Sequence, residues 1–297
     1  MKIAVAKYPV EAPRDFEAFS AKQARLLEEA AAAGTRIAVL PEYLSLELGA
    51  TFGTDVCGDF HASLAALQPL HASWLELFAN LSSRLRLHVQ AGSFLLDAGG
   101  GRYRNRAYWF TPERRCGFQD KLQLTGFEKQ ARVIEGGDAL KVFDGSGVRA
   151  GIAVCYDSEF PLPVRAQCEA GARLIMVPSC TDTEAGATRV RVGCLARALE
   201  NRCFVAQAVT AGTAEWSPAL DVNTGEAAVY APMDHDLPAD GILAQTRGAQ
   251  HWAFAELDFA ALEASCARAQ VANDRDWPGQ SRPALARARV DDGGHLD

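Results

Sequence analysis

Apolar positions along this chain switch between two patterns: short runs with few polar breaks, and longer stretches with helical spacing. KIAVAKYP (2–9) reads as a buried strand, and an alanine-rich amphipathic stretch from about Pro13 reads as a helix ending at Gly34. RIAVLPE (36–42) is the next strand. A second helical pattern, roughly 63–86, leads into LHVQAGSFLL, and Gly99, Gly100 and Gly101 then turn the chain into RYRNRAYWF, which predicts a hairpin.

VRAGIAVCYD (148–157) is a further apolar strand. A proline-marked turn, a helix closing at Gly171 and the strand RLIMVPS follow, and together they predict a β-helix-β unit. GATRVRVGCLARALENR reads as a helix before the strand CFVAQAVT, and three strand-like runs, EAAVYAP, ILAQTRG and HWAFAELD, come after it. Mixing βα alternation with hairpins predicts an α/β sandwich rather than a purely parallel doubly wound sheet. No linker interrupts residues 1–260. Residues 261–297 are expected to add a C-terminal helix and, from about Asn273, a tail without periodicity that is a candidate contact with a partner subunit.

Composition narrows the function classes. With 48% hydrophobic and 23% charged residues over 297 positions, the chain is ordinary globular material. A net charge of −7 argues against a nucleic-acid partner, because binding a phosphate backbone needs a basic patch. No apolar run approaches the roughly 20 residues of a membrane helix, and MKIAVAKYPV lacks the apolar core of a signal peptide, so a cytoplasmic protein without a membrane partner is expected. The eight cysteines show no CxxC pairing and the histidines no HExxH, so no metal or other cofactor is expected, and the thiols are expected to be mostly reduced and buried.

Two addresses carry candidate chemistry. Cys155 sits where the apolar GIAV gives way to the polar turn YDSEFP and a helix, which exposes a side chain at the carboxyl edge of a sheet. Glu42 has a comparable place after IAVL and Pro41. Taken singly, a cysteine is most often a small buried hydrophobe and a glutamate a surface charge, and seven of the eight cysteines are expected to be such hydrophobes. Spacing does not separate Lys121, in QDKLQLTGFE, from the other lysines. The triple glycine has no nucleotide-binding fingerprint around it, no GxSxG elbow is present, and Asp182 and His235 have no serine partner that spacing identifies. The five tryptophans are expected in the core or at an interface.

VLPE around Glu42, DKLQLTGFE around Lys121 and GIAVCYDSEFP around Cys155, in that order, resemble the three signatures of the nitrilase superfamily. VPSCT and RALENRCFVAQA agree with it, and the likeness covers about residues 2–260. The resemblance implies a four-layer α-β-β-α sandwich that pairs into a homodimer or larger homo-oligomer. It implies Glu42 as general base, Cys155 as nucleophile, and Lys121 with the Tyr156 N–H as oxyanion donors. Glu128 resembles a second family glutamate that positions the substrate or Lys121; without the resemblance it would read as a surface carboxylate paired with Lys129 or Arg132.

CYDSEFP resembles the amidase-type branches, whereas nitrile hydrolases of this superfamily usually carry tryptophan and glutamate after the cysteine. The implied activity is hydrolysis of a small amide through an acyl-enzyme. Nitrile hydrolysis, acyl transfer at the same site, and a non-catalytic metabolite-binding homologue remain alternatives. GEAAVYAPMDHDLPADGILAQ departs from the GxSxIxxPxG run of those branches and leaves the substrate open.

Overall fold

A computed structural model describes residues 1–290. Two twisted sheets stack face to face. The first contains, in spatial order, the strands Cys116–Asp120, Arg102–Phe110, His88–Gly99, Ile37–Leu40, Lys2–Pro9 and Trp252–Glu256. The second contains Val142–Gly145, Val148–Ile152, Leu174–Ser179, Phe204–Thr213, Ala228–Tyr230 and Ile242–Gln245. They join at one corner, where Lys7, Tyr8 and Pro9 pair in parallel with Val209, Thr210 and Ala211.

The strands without polar breaks are the central ones. Ile37–Leu40 and Leu174–Ser179 are buried along their whole length, as expected of strands covered on both faces. Helices Phe16–Ala32 and His71–Leu85 cover the first sheet, and Pro161–Glu169 and Glu184–Asn201 cover the second. The result is the α-β-β-α sandwich.

Local chemistry sets the helix limits. Asp15 caps the first helix by accepting from Ala18 N, a stripe through Phe19, Leu26, Leu27 and Ala30 is buried, and the chain leaves the helix at Gly34 with φ +79°. The expected single helix over 63–86 is two, Phe60–Leu67 and His71–Leu85, because Pro69 breaks the pattern into a short 3₁₀ turn. Trp74 of the second piece anchors an aromatic cluster with Phe78, Phe94 and Tyr108. The glycine hairpin is present, with all three glycines at positive φ.

The strands Cys116–Asp120 and Val142–Gly145 were not expected, since CGFQD and VFDG show neither alternation nor an apolar run. The expectation of seven buried structural cysteines is corrected. All eight thiols are free, but Cys116 is exposed and Cys180 and Cys266 are half-buried. Trp74, Trp109 and Trp252 are core residues. Beyond the sheets, the helix Phe259–Cys266 is held by Arg202, which donates to Ser265 Oγ at 2.9 Å and pairs with Asp234 at 2.6 Å. The last part of the expected tail, 291–297, lies outside the described residues.

Candidate active site

Glu42, Lys121 and Cys155 arrive at one cavity from three strand ends. Glu42 follows the strand Ile37–Leu40, and the next residue, Tyr43, takes a left-handed φ of 61° that turns the chain away. Gly92 makes this turn possible. It has φ +66°, and a Cβ there would lie 2.2 Å from the Pro41 carbonyl oxygen, so the neighbouring strand could not approach this closely with any side chain at that position. Ser93 Oγ accepts from Tyr43 N at 2.8 Å and fixes the turn.

Lys121 follows the strand Cys116–Asp120, tied down by its own N–H to Asn105 O at 2.9 Å. Cys155 lies three residues past the strand Val148–Ile152, at the start of a 3₁₀ turn, with φ 49°. A left-handed non-glycine residue costs of order 1–3 kcal/mol and persists only where its surroundings hold it. Here Ser158 Oγ donates to Cys155 O at 2.7 Å, and Arg197 donates to Ser158 O at 2.9 Å. The helix Glu184–Asn201 can lie against this elbow because residue 193 is glycine; a Cβ there would sit 2.9 Å from Ser158 O.

The charged groups are almost fully buried: Glu42 and Lys121 are 1% exposed, Cys155 4% and Glu128 0%. Lys121 Nζ bridges the two carboxylates, 2.7 Å from Glu42 Oε1 and 2.9 Å from Glu128 Oε2. Asn105 Nδ2 donates to the same pair, at 2.8 Å and 3.1 Å. Glu128 also accepts from Tyr43 Oη at 2.9 Å and, as the third residue of a capping box, from Thr125 N at 2.9 Å. It is not the surface carboxylate that spacing alone suggested.

The remaining oxygen of Glu42 accepts from Cys180 N at 3.1 Å. The Cys155 thiol points at Cys180 O, 3.6 Å away, and shares the cavity lining with Glu42.

These contacts divide the protons. Burial raises the Glu42 pKa, and the charge of Glu128 adds to this against the pull of Lys121. At Glu128 burial is outweighed by Lys121 and by the donors Thr125 and Asn105, so its pKa falls. Burial also works against the Lys121 ammonium, but the two carboxylates hold its pKa well above the usual value. Burial, then the Glu42 charge, pushes the Cys155 thiol well up, which favours its protonated form. Burial lifts Asp157 to about 6, opposed by N–H groups of Gln123 and Leu122.

The cavity has a volume of about 240 Å³ and room for a small molecule. Its buried end holds Glu42, Lys121 and Cys155; Tyr156, Phe127 and Val222 line it, and Asp182, Arg189 and Asp221 add charge. Of the five residues expected at the site, all but Glu128 line the cavity, and Glu128 contacts it through Lys121. Sequence reasoning missed Asn105, Tyr43 and Cys180, read Asp157 only as part of the CYDSEFP motif, and set Asp182 aside. Asn105 had a signal: it is a polar residue at an inward position of the strand Arg102–Phe110, 0% exposed. Among the described residues no three His, Cys, Asp or Glu side chains are grouped to hold a metal ion, and no helix is long and apolar enough to cross a membrane.

The family model described as carbon-nitrogen hydrolase matches residues 2–237. The chain belongs to that family. Among curated proteins, the carbon-nitrogen hydrolase resembles the probable hydrolase YhcX of Bacillus subtilis (strain 168), at 29% identity over 248 residues. That match takes in 83% of this chain and 47% of YhcX, so the chain spans about half the length of that relative. An aliphatic nitrilase of Sinorhizobium fredii is 28% identical over 66% of this chain and 65% of the nitrilase. In three dimensions the chain is similar to a double mutant of the amidase from Nesterenkonia sp. AN1, solved in complex with acrylamide, with TM-score 0.68 and 21% identity over 93% of this chain and 97% of that one.

Proposed function

We propose that this carbon-nitrogen hydrolase cleaves a small carboxamide through a thioester on Cys155. The observation that carries the reading is that the Cys155 thiol, the Glu42 carboxylate and the Lys121 ammonium line one cavity, with Lys121 Nζ 2.7 Å from Glu42 Oε1. Glu42 takes the thiol proton as the sulfur attacks the carbonyl carbon. The oxyanion that forms is held by Lys121 Nζ and the Tyr156 N–H; one such donor is worth roughly 3–4 kcal/mol in comparable sites. Collapse breaks the C–N bond, and Glu42 returns the proton to the departing ammonia or amine. Glu42 then activates water, which attacks the thioester and frees the carboxylic acid and Cys155.

Tyr156 and Asp157 directly after the cysteine, as in CYDSEFP, support an amide over a nitrile. The likeness to an aliphatic nitrilase keeps the nitrile as the second reading, since the same thiol adds to a nitrile carbon.

The test is ammonia release from a panel of small aliphatic, ω-amide and carbamoyl compounds and matched nitriles, with Cys155→Ala as control. Intact-mass spectrometry of the wild type follows the covalent adduct. Amide turnover that vanishes in Cys155→Ala, with an acyl mass on Cys155, is the expected result. Turnover by the alanine variant removes the proposed nucleophile, and ammonia from nitriles alone replaces the substrate class.

A further inference from the structure

Asp157 touches none of the reacting groups named above, yet its carboxylate is 2% exposed and occupied on both oxygens. Leu122 N donates to Oδ1 and Oδ2, each at 3.1 Å; Gln123 N donates to Oδ1 at 2.7 Å; Val154 N donates to Oδ2 at 3.1 Å. In return, Asp157 N donates to Val154 O at 3.0 Å. Leu122 and Gln123 directly follow Lys121, and Val154 directly precedes Cys155. The two segments come from strands of different sheets, Cys116–Asp120 in the first and Val148–Ile152 in the second. Among the described residues, no other hydrogen bond joins residues 121–125 to residues 152–160.

We propose that Asp157 is a positioning residue: its carboxylate locks the backbone that carries Lys121 to the backbone that carries Cys155, and so sets the ammonium at a fixed offset from the sulfur. The proposal rests on amide hydrolysis at Cys155 as described above. The carboxylate suits the task because all the groups facing it are backbone donors, and an ionised oxygen accepts from them more strongly than a neutral one. It also explains a buried acid two residues from the proposed nucleophile that does not line the cavity. Displacing a reacting group by about 1 Å is enough to cost of order 100-fold in rate. The clamp therefore acts on the oxyanion, which both segments must meet at once, and little on ground-state binding.

Asp157→Asn keeps the shape but turns an N–H₂ group toward either Val154 N–H or the Leu122 and Gln123 N–H groups, donor against donor. Asp157→Glu keeps the charge and pushes it one methylene into the loop. Both variants, with wild type and Cys155→Ala, are assayed for kcat and KM on an amide turned over by the wild type, and for inhibition by the matching aldehyde. The aldehyde adds reversibly: a bond forms between Cys155 Sγ and the carbonyl carbon, the thiol proton passes to Glu42, the C=O π pair moves to oxygen, and that oxygen occupies the oxyanion position.

Each folded variant is expected to lose at least about tenfold in kcat, to keep KM within about threefold, and to bind the aldehyde more weakly by a factor similar to its loss in kcat. Wild-type kcat in either folded variant overturns the clamp, as does a fall in kcat with full aldehyde affinity. Failure of both variants to fold assigns Asp157 to stability alone and overturns the clamp as well. The two failures are distinguishable, because activity in Cys155→Ala removes the proposed chemistry, whereas an inert Cys155→Ala with unaffected Asp157 variants removes only the clamp.

Discussion

Glu128→Gln is the perturbation on which the buried charge cluster makes its most specific statement. Both Glu128 oxygens are occupied, Oε1 by Tyr43 Oη and Asn105 Nδ2 and Oε2 by Lys121 Nζ, Thr125 N and Thr125 Oγ1. A glutamine must point its N–H₂ group at one of these sets. Toward Lys121 and Thr125 N it meets two donors that cannot reverse; toward Asn105 Nδ2 it meets another donor, and flipping the Asn105 amide to accept would break its hydrogen bond to Glu42.

Leaving one or two buried donors unpaired costs about 1–3 kcal/mol each, so the variant is expected to lose about 2–5 kcal/mol. With an unfolding entropy near 2.1 cal/mol/K per residue over this chain, that corresponds to a fall in Tm of roughly 3–8 °C. The pH sign follows from the depressed pKa of Glu128. Its stabilisation is present above the unfolded-state value and is lost as pH falls through the lower folded-state value, so the gap in Tm between wild type and variant narrows in acid. Chemistry shifts too. The Glu128 charge is one of the causes that raise the Glu42 pKa, so the acid limb of kcat/KM should move to lower pH in the variant while kcat falls. Thermal melts between neutrality and acid, with a pH–rate profile, check both parts. An unchanged Tm together with an unmoved limb would refute the coupling of Glu128 to Lys121 and Glu42.

Two further outcomes are expected. In the wild type, kcat/KM should rise with pH through an apparent pKa above the ordinary carboxylate range, because Glu42, the proposed base, must lose its proton and burial raises its pKa; a limb at or below about 4.5 in the pH–rate profile contradicts this. Gly92→Ala should destabilise the protein by more than the ordinary 1 kcal/mol or so of a point mutant and depress activity. Its Cβ would press on the backbone oxygen of Pro41 in a left-handed conformation that alanine disfavours, one residue from Glu42; a melt and rate equal to wild type would show that the turn has slack.

Much of the fold was legible because burial on both faces leaves a plain mark on a strand. Lys2–Pro9, Ile37–Leu40 and Leu174–Ser179 all stand out as apolar runs, and the triple glycine marks its hairpin. Cys116–Asp120 left no such mark. It is an outer strand, paired with Arg102–Phe110, and its polar residues serve other ends: Asp120 binds Arg106 and Gln119 bonds to its neighbours' backbone. Lys121 was therefore invisible to pattern reading and entered only through the likeness of DKLQLTGFE to a family signature.

By itself the sequence determined the periodicities, the strand-end addresses of Glu42 and Cys155, and the motifs that carry the family resemblance. Those are local properties, encoded in residues next to one another. Only the tertiary structure decided that Lys121 lies between Glu42 and Glu128, that Asn105 bridges the same two carboxylates, and that Asp157 ties one sheet's strand end to the other's. The protonation of the site was decided there as well. A carboxylate, an ammonium and a thiol have ordinary pKa values in an extended chain, and they depart from them here because folding strips their water and sets Lys121 Nζ 2.7 Å from Glu42 and the Cys155 thiol 3.6 Å from Cys180 O.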